Sequence, residues 1–259
     1  MQRHSRSKGK QRLLGSHQKC WIWGRNAVIE TLVAGRWPIL DLYLSSALSP
    51  DQHGAAAALA AKLGLTPLTD DSDALTRLCH TAEHQGYLAR MTDFPYSDEE
   101  SVCTSLPPAP LCVILDGLQD PFNFGAIVRS AEVFGVDALF IAEAGQVGVT
   151  SMVVRSSAGA VNRLPIVRVM ELEGMARRMK ERGWCLMAAS EKADTVLKNQ
   201  DFTGGSVVIV GNEGIGIRPG LLALCDVRVR IPQVGRIGSL NAAAAASVFF
   251  YEARRQRDT

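Results

Sequence analysis

The sequence predicts an α/β protein: a parallel sheet covered by helices, preceded by a small α/β domain. Three observations carry that expectation. Five short runs in the second half, LCVIL, ALFIA, WCLMAA, SVVIV and VRVRI, read as strands buried on both faces, the first four of them almost wholly apolar rather than alternating. Helical periodicity lies between them, as parallel connections require. Ahead of them, residues 20–92 alternate helix and strand on their own, and at 259 residues with 47% hydrophobic content the chain is long enough for two cores.

In chain order, residues 1–19 form a basic arm. From Met1 to Ile29 there are seven basic residues (Arg3, Arg6, Lys8, Lys10, Arg12, Lys19, Arg25) and no acid. A run such as RHSRSKGKQR has too little apolar surface to pack a core, so disorder is expected; the charge suits phosphate contacts or plain solubility. WGRNAVIETLVAG reads as an amphipathic helix with Ala27, Val28, Leu32 and Val33 on one face, stopped by Gly35. ILDLYLS reads as a strand, AAAALAAKLG as a helix and LTPL as a short strand. DSDALTRLCH reads as a capped helix and HQGYLARM as a closing strand. Residues 93–110, rich in Pro, Ser and acid, break both periodicities and read as a linker; residues 111–259 form the second domain.

The net charge of +2 excludes little. The arm lacks a signal-peptide apolar core and no apolar run reaches ~18 residues, so a cytoplasmic protein off the membrane is expected. The six cysteines are scattered without C-x-x-C and read as reduced residues of the interior. Cys79, His80 and His84 in LCHTAEHQG invite a zinc reading, but a second set of ligands is missing and no metal is expected.

Ligands of parallel α/β folds gather at the carboxyl ends of strands. Three polar loops leave strands there: LQDPFNFG after Leu115, GNEGIGI after Val210 and PQVGRIGSLN after Ile231. The first enters a helix with the stripe Phe124, Ile127, Val128, Ala131 and Phe134, with Asn123 where an N-cap belongs and Arg129 opposite the stripe. Taken singly, Arg129 is a solvated charge, the glycines are a turn, and Ser239 caps a last helix whose stripe runs Leu240, Ala243, Ala244, Val248, Tyr251. Glu213, flanked by glycine, has no such structural reason. The order G-x-x-G-x-G at Gly211, Gly214 and Gly216 does not match a dinucleotide fingerprint, and no Walker lysine is present, which disfavours an oxidoreductase.

D-G-L-Q-D-P-F-N-F-G-A-I-V-R-S-A, V-G-N-E-G-I-G and I-P-x-x-G-x-x-x-S-L-N, in that order, resemble the three motifs of the SpoU family, the ribose 2′-O-methyltransferases of the SPOUT class. W-G-R-N-A-V-I-E-T-L and H-Q-G-Y-L-A resemble the small RNA-binding domain of many bacterial members, so the likeness spans roughly residues 20–255. The resemblance implies a trefoil-knotted methyltransferase domain, S-adenosyl-L-methionine as cofactor, an RNA substrate and a homodimer with the active site near its interface. It implies substrate-side roles for Asn123, Arg129, Glu213, Ser239 and Asn241. Arg129 would act on the 2′ oxygen as an oxyanion stabiliser, or as a base only if strongly perturbed, since a guanidinium stays protonated. Asn123 would orient Arg129 or the ribose, and Glu213 could hold the guanidinium bidentately. Backbone groups at Gly211, Ile231 and Leu240 would hold the cofactor, with Gly211 allowing its close approach. Gln233 stands where many relatives have Met, and Ala242 and Ala243 stand where many have Val and Ser; both bear on cofactor contacts. Among relatives with such a domain are the large-subunit (23S-type) guanosine methyltransferases, which favours ribosomal over transfer RNA. A catalytically silent RNA-binding protein of the same fold is the other reading, and the intact motif residues argue against it.

Overall fold

A computed structural model describes residues 21–236 and 238–258. The basic arm therefore lies outside the described residues, as does Cys20. Contacts divide the chain into two units: residues up to Pro95 together with Val149–Asn162, and Tyr96–Gly148 together with residues from Arg163 onward. The return of 149–162 to the first unit has no counterpart in the sequence reading.

In the first unit, β1 (Trp21–Trp23), β2 (Ile39–Ser45), β3 (Leu68–Asp70) and β4 (Tyr87–Met91) form a sheet in the order β1-β4-β2-β3. β4 is antiparallel to both neighbours, and β2 and β3 are parallel. Helices α1 (Arg25–Ala34), α2 (Pro50–Lys62) and α3 (Ser72–Cys79) connect them. Ser49 and Gln52 form a reciprocal capping box at the start of α2, and Asp71 caps α3, which meets the orphan amides of each first turn. α1 starts at Gly24 without a side-chain cap, and its buried face is Ala27, Val28, Thr31 and Leu32 while Val33 is exposed. From the returning segment, α6 (Ser151–Ser156) brings Met152 against the Trp21, Trp23, Leu75, Cys79 and Leu88 cluster. Buried Asn162 donates to the Thr31 hydroxyl at 3.0 Å.

The second unit is a seven-stranded parallel sheet in the order β7-β6-β5-β10-β8-β11-β9. Its strands are β5 (Leu111–Asp116), β6 (Ala138–Ala142), β7 (Ile166–Val169), β8 (Cys185–Ala189), β9 (Thr195–Val196), β10 (Ser206–Gly211) and β11 (Val227–Arg230). All five runs contain strands, but β11 is not buried on both faces as expected: Val229 is buried while Arg228 is exposed and Arg230 half-buried, because the run alternates apolar and charged residues. β7 and β9 join them unforeseen, β7 being four residues long and β9 only two. Alternate side chains, among them Cys112, Ile114, Phe140, Val207 and Ile209, pack under α4 (Glu99–Ser105) and α7 (Leu172–Glu181). On the second face, α5 (Pro121–Val133) and α9 (Ala242–Arg257) pack against one another, with α9 also against β10. The short α8 (Pro219–Leu222) lies between β10 and β11.

Three local readings need correction. The 93–110 segment is not structureless: Asp98 caps α4 by accepting from the Ser101 amide at 2.9 Å, and Val102 enters the core. That amide hydrogen bond also holds the Asp98 carboxyl below its ordinary value. The N-cap of α5 is Asp120, accepting from the Phe122 amide at 2.9 Å, so Asn123 stands inside the first turn. The last helix is capped by Asn241 rather than Ser239, and it buries Ala243, Ala246, Phe249, Phe250 and Ala253 while Val248 and Tyr251 are exposed. An alanine-rich start leaves several stripes equally apolar, and the large Phe249 and Phe250 decide which one turns inward.

Candidate active site

β5 and β10 lie side by side in parallel, so the loops leaving their carboxyl ends meet. Buried Asp116 ends β5 and accepts from both the backbone amide and Nε of Arg218, each at 2.6 Å. This fastens the far end of the 212–218 loop. The near end is closed by Asn212 and Gly216, whose amides and carbonyls pair reciprocally at 3.1 and 2.9 Å. The Asn212 side chain also accepts from the amides of Gly214 and Ile215 and donates to the Gly117 carbonyl. Neither Asp116 nor Asn212 was singled out from sequence, although each sits within a quoted motif. Asp116 reads there as the end of an apolar run, and Asn212 as part of a glycine turn.

Around this loop lies a cavity of about 650 Å³, walled by the 210–217 segment, the strand end Ala189–Lys192, Val229, Ile231, Gln233 and the stretch Ser239–Ala242. Its size is within the usual ~300–1,000 Å³ of a small-molecule site. Of the residues expected to matter, Gly211, Glu213, Ile231, Ser239, Leu240 and Asn241 all line it. Asn123 reaches the same place from α5: its Nδ2 donates to Glu213 Oε1 at 3.0 Å and its Oδ1 accepts from Asn241 Nδ2 at 2.8 Å. Asn241 Oδ1 meanwhile accepts from the amides of Ala243 and Ala244 at 2.9 and 3.2 Å. One amide thus caps α9 and joins a polar chain running Glu213–Asn123–Asn241.

Arg129 stands apart. It is exposed on α5 and does not line the cavity. Glu213 accepts from Asn123, and among the described residues of this chain it makes no ion pair with Arg129, so the expected bidentate clasp is not formed here. Gly211 is also needed for a different reason than expected. It does not have a positive φ, and a Cβ there would meet the backbone of Gly216 and Ile217, with the Gly216 oxygen at 2.7 Å. The close approach at Gly211 is the loop folding on itself.

A nucleoside carrying a short charged tail fits this cavity: Val210, Ile217, Val229, Ile231 and Leu240 offer apolar walls, glycine backbone is exposed beside them, and Glu191, Lys192 and Glu213 supply charge. Among the described residues no cluster of three or more His, Cys, Asp or Glu could hold a metal ion. Buried His84 is engaged with Thr76, the Ser72 carbonyl and the Gly86 amide, and Cys79 Sγ with the Leu75 and Thr81 carbonyls. The described cysteines are free thiols. Burial raises their pKa, to about 11 at Cys225, which makes thiolate chemistry unfavourable.

Residues 110–251 match the SpoU rRNA Methylase family, and residues 21–97 match the substrate-binding domain of RNA 2′-O ribose methyltransferases. The chain belongs to the SpoU family. It is 31% identical over 246 residues to the Bacillus subtilis protein YacO, provisionally described as a TrmH family tRNA/rRNA methyltransferase, covering 94% of this chain and 98% of that one. Among solved structures, the SpoU methyltransferase AviRb from Streptomyces viridochromogenes with bound AdoMet superposes with a TM-score of 0.80 at 28% identity, over 99% of both chains. The AdoMet-bound rRNA methyltransferase from Sinorhizobium meliloti gives 0.78 at 25% identity, over 95% of this chain and 90% of that one. The protein is accordingly an RNA ribose 2′-O-methyltransferase that uses S-adenosyl-L-methionine. No described helix is long and apolar enough to cross a membrane.

Proposed function

We propose that this enzyme methylates the 2′-hydroxyl of a guanosine in large-subunit ribosomal RNA and works as a homodimer. The observation that carries the RNA class is whole-length likeness, both units included, to the rRNA methyltransferase from Sinorhizobium meliloti. A dedicated substrate-binding unit suits a ribose presented in a loop of a large RNA, where a nucleotide can be splayed out of its stack. Exposed apolar side chains on α5 and α9, Phe122, Val133, Val248 and Tyr251, suit a second copy of the chain. Sedimentation equilibrium giving a monomer at micromolar concentration would remove the dimer.

The cofactor supplies a methyl on sulfonium, a group already activated for transfer. Gly211, Ile231 and Leu240 would hold it through backbone and apolar contact in the cavity that they line. The chain's own residues must then position a ribose oxygen and stabilise the charge that develops as its proton leaves. The Glu213–Asn123–Asn241 chain offers a carboxylate and two amides for that purpose, and Ser239 lines the same cavity as Glu213 and Asn241. Arg129, exposed and with no hydrogen bond or ion pair to another described residue, offers a permanent planar cation to the nucleophile, as an oxyanion stabiliser.

Mapping 2′-O-methyl positions in ribosomal and transfer RNA from cells with and without the gene tests the substrate. Loss of one large-subunit guanosine methylation is expected. Loss confined to transfer RNA would redirect the reading, and unchanged maps in both would overturn it.

A further inference from the structure

We infer that Asn212 is a positioning residue for methyl transfer, holding Glu213 in register with Asn123; this rests on the proposed role of Glu213. Glu213 is exposed, and its one hydrogen bond among those described comes from Asn123. An exposed carboxylate held at one atom keeps much of its rotamer freedom, so the backbone beneath it must fix where it can reach. Asn212 provides that fixation with every polar atom it has. Its Oδ1 accepts from the Gly214 amide at 2.8 Å and the Ile215 amide at 3.1 Å, which shapes the loop. Its Nδ2 donates to the Gly117 carbonyl at 2.7 Å, which ties the loop to the turn leaving β5.

The two halves of the amide do separable jobs. The Oδ1 bonds alone would satisfy a self-contained turn. The Nδ2 bond reaches another strand end, and the turn it grips leads directly into α5, where Asn123 stands. Gly117 takes φ +75° there, and its carbonyl also accepts from Gln119 Nε2. Asp116, the preceding residue, holds the other end of the same loop through Arg218. The last residue of β5 and the glycine that follows it thus pin both ends of the segment carrying Glu213, and the strand-and-turn that launches Asn123 is the one that does the pinning.

Asn212→Asp separates the halves, because a carboxylate keeps both acceptor bonds but cannot donate to Gly117. The expected result is S-adenosyl-L-methionine affinity by titration calorimetry within about twofold of wild type, with kcat down by roughly tenfold to a hundredfold, the scale on which small misplacements act. In a Glu213→Ala background, Asn212→Asp should cost nothing further, because there is no carboxylate left to position. Should Asn212→Asp lose cofactor binding, Asp116→Asn reads the same coupling from the other anchor: it too should slow turnover in wild type and be silent in Glu213→Ala. Wild-type kcat for the anchor variant, or an equal loss in both backgrounds, would overturn the inference while leaving Glu213 in its role. Wild-type turnover by Glu213→Ala itself would instead remove the role of Glu213, and the inference with it.

Discussion

Arg129 is exposed and stands outside the hydrogen-bonded chain of Glu213, Asn123 and Asn241, and that isolation makes its contribution measurable. Arg129→Ala should abolish methylation while cofactor affinity stays near wild type, because the residue does not line the cavity. Arg129→Lys should fail as well, since a point ammonium lacks the planar fork. Turnover above a tenth of wild type in single-turnover assays would sink the assignment. Gly211 gives the opposite kind of prediction. Any side chain there collides with the Gly216 and Ile217 backbone, so Gly211→Ala and Gly211→Asn should both displace the loop and weaken cofactor binding by more than tenfold in calorimetry. Tolerance of Asn at this position would mean the loop can open without harming the cavity.

At the scale of the element, α9 joins stability to chemistry through its cap. Asn241→Ala removes the acceptor for two first-turn amides and the donor to Asn123 together. It should lower unfolding free energy by about 1 kcal/mol and also impair turnover. Asn241→Asp keeps the cap, and a negative charge at a helix N-terminus is favourable. It loses the donor to Asn123, so denaturation should stay at or above wild type while methyl transfer falls. Parallel losses of stability and activity in both variants would show that the cap alone matters. The carboxyl end of α9 is fixed differently: Arg257 donates to the carbonyls of Ala109, Pro110, Phe202 and Gly204. Burial lowers its pKa somewhat, without threatening a guanidinium's charge.

For the whole molecule, charge is unevenly placed. Six of the 28 basic residues lie in positions 1–19, which hold none of the 26 acids, so residues 20–259 carry 22 bases against 26 acids. An RNA-binding body with an acidic balance gains little from long-range attraction, and the arm becomes the main source of it. Removing residues 1–19 should weaken RNA binding and flatten the log–log salt dependence by up to about 5, if every arm charge releases a counterion. An unchanged slope in filter binding would reduce the arm to a solubilising tail.

Local chemistry in the sequence marked five of the seven strands of the second unit, since runs such as LCVIL and SVVIV are apolar on both faces and can only be buried between helices. It pointed to the candidate site, because three polar, glycine-bearing loops leave strands at their carboxyl ends, where ligands of parallel α/β folds gather. The family resemblance rested on the same loops. What only the tertiary structure decided concerns pairs distant in sequence. Asn123, Glu213 and Asn241 become one hydrogen-bonded chain because β5 and β10 are adjacent, and no spacing in the sequence encodes that adjacency. The role of Asn212 is invisible without Gly117 in place, and the reason for Gly211 without the backbone of Gly216 and Ile217. Residues 149–162 pack with the first unit, where buried Asn162 donates to Thr31, a pairing across 131 residues that no local pattern announces. Composition and periodicity report which face of an element is buried; which other element buries it is settled by packing, where contributions from the whole chain are summed at once.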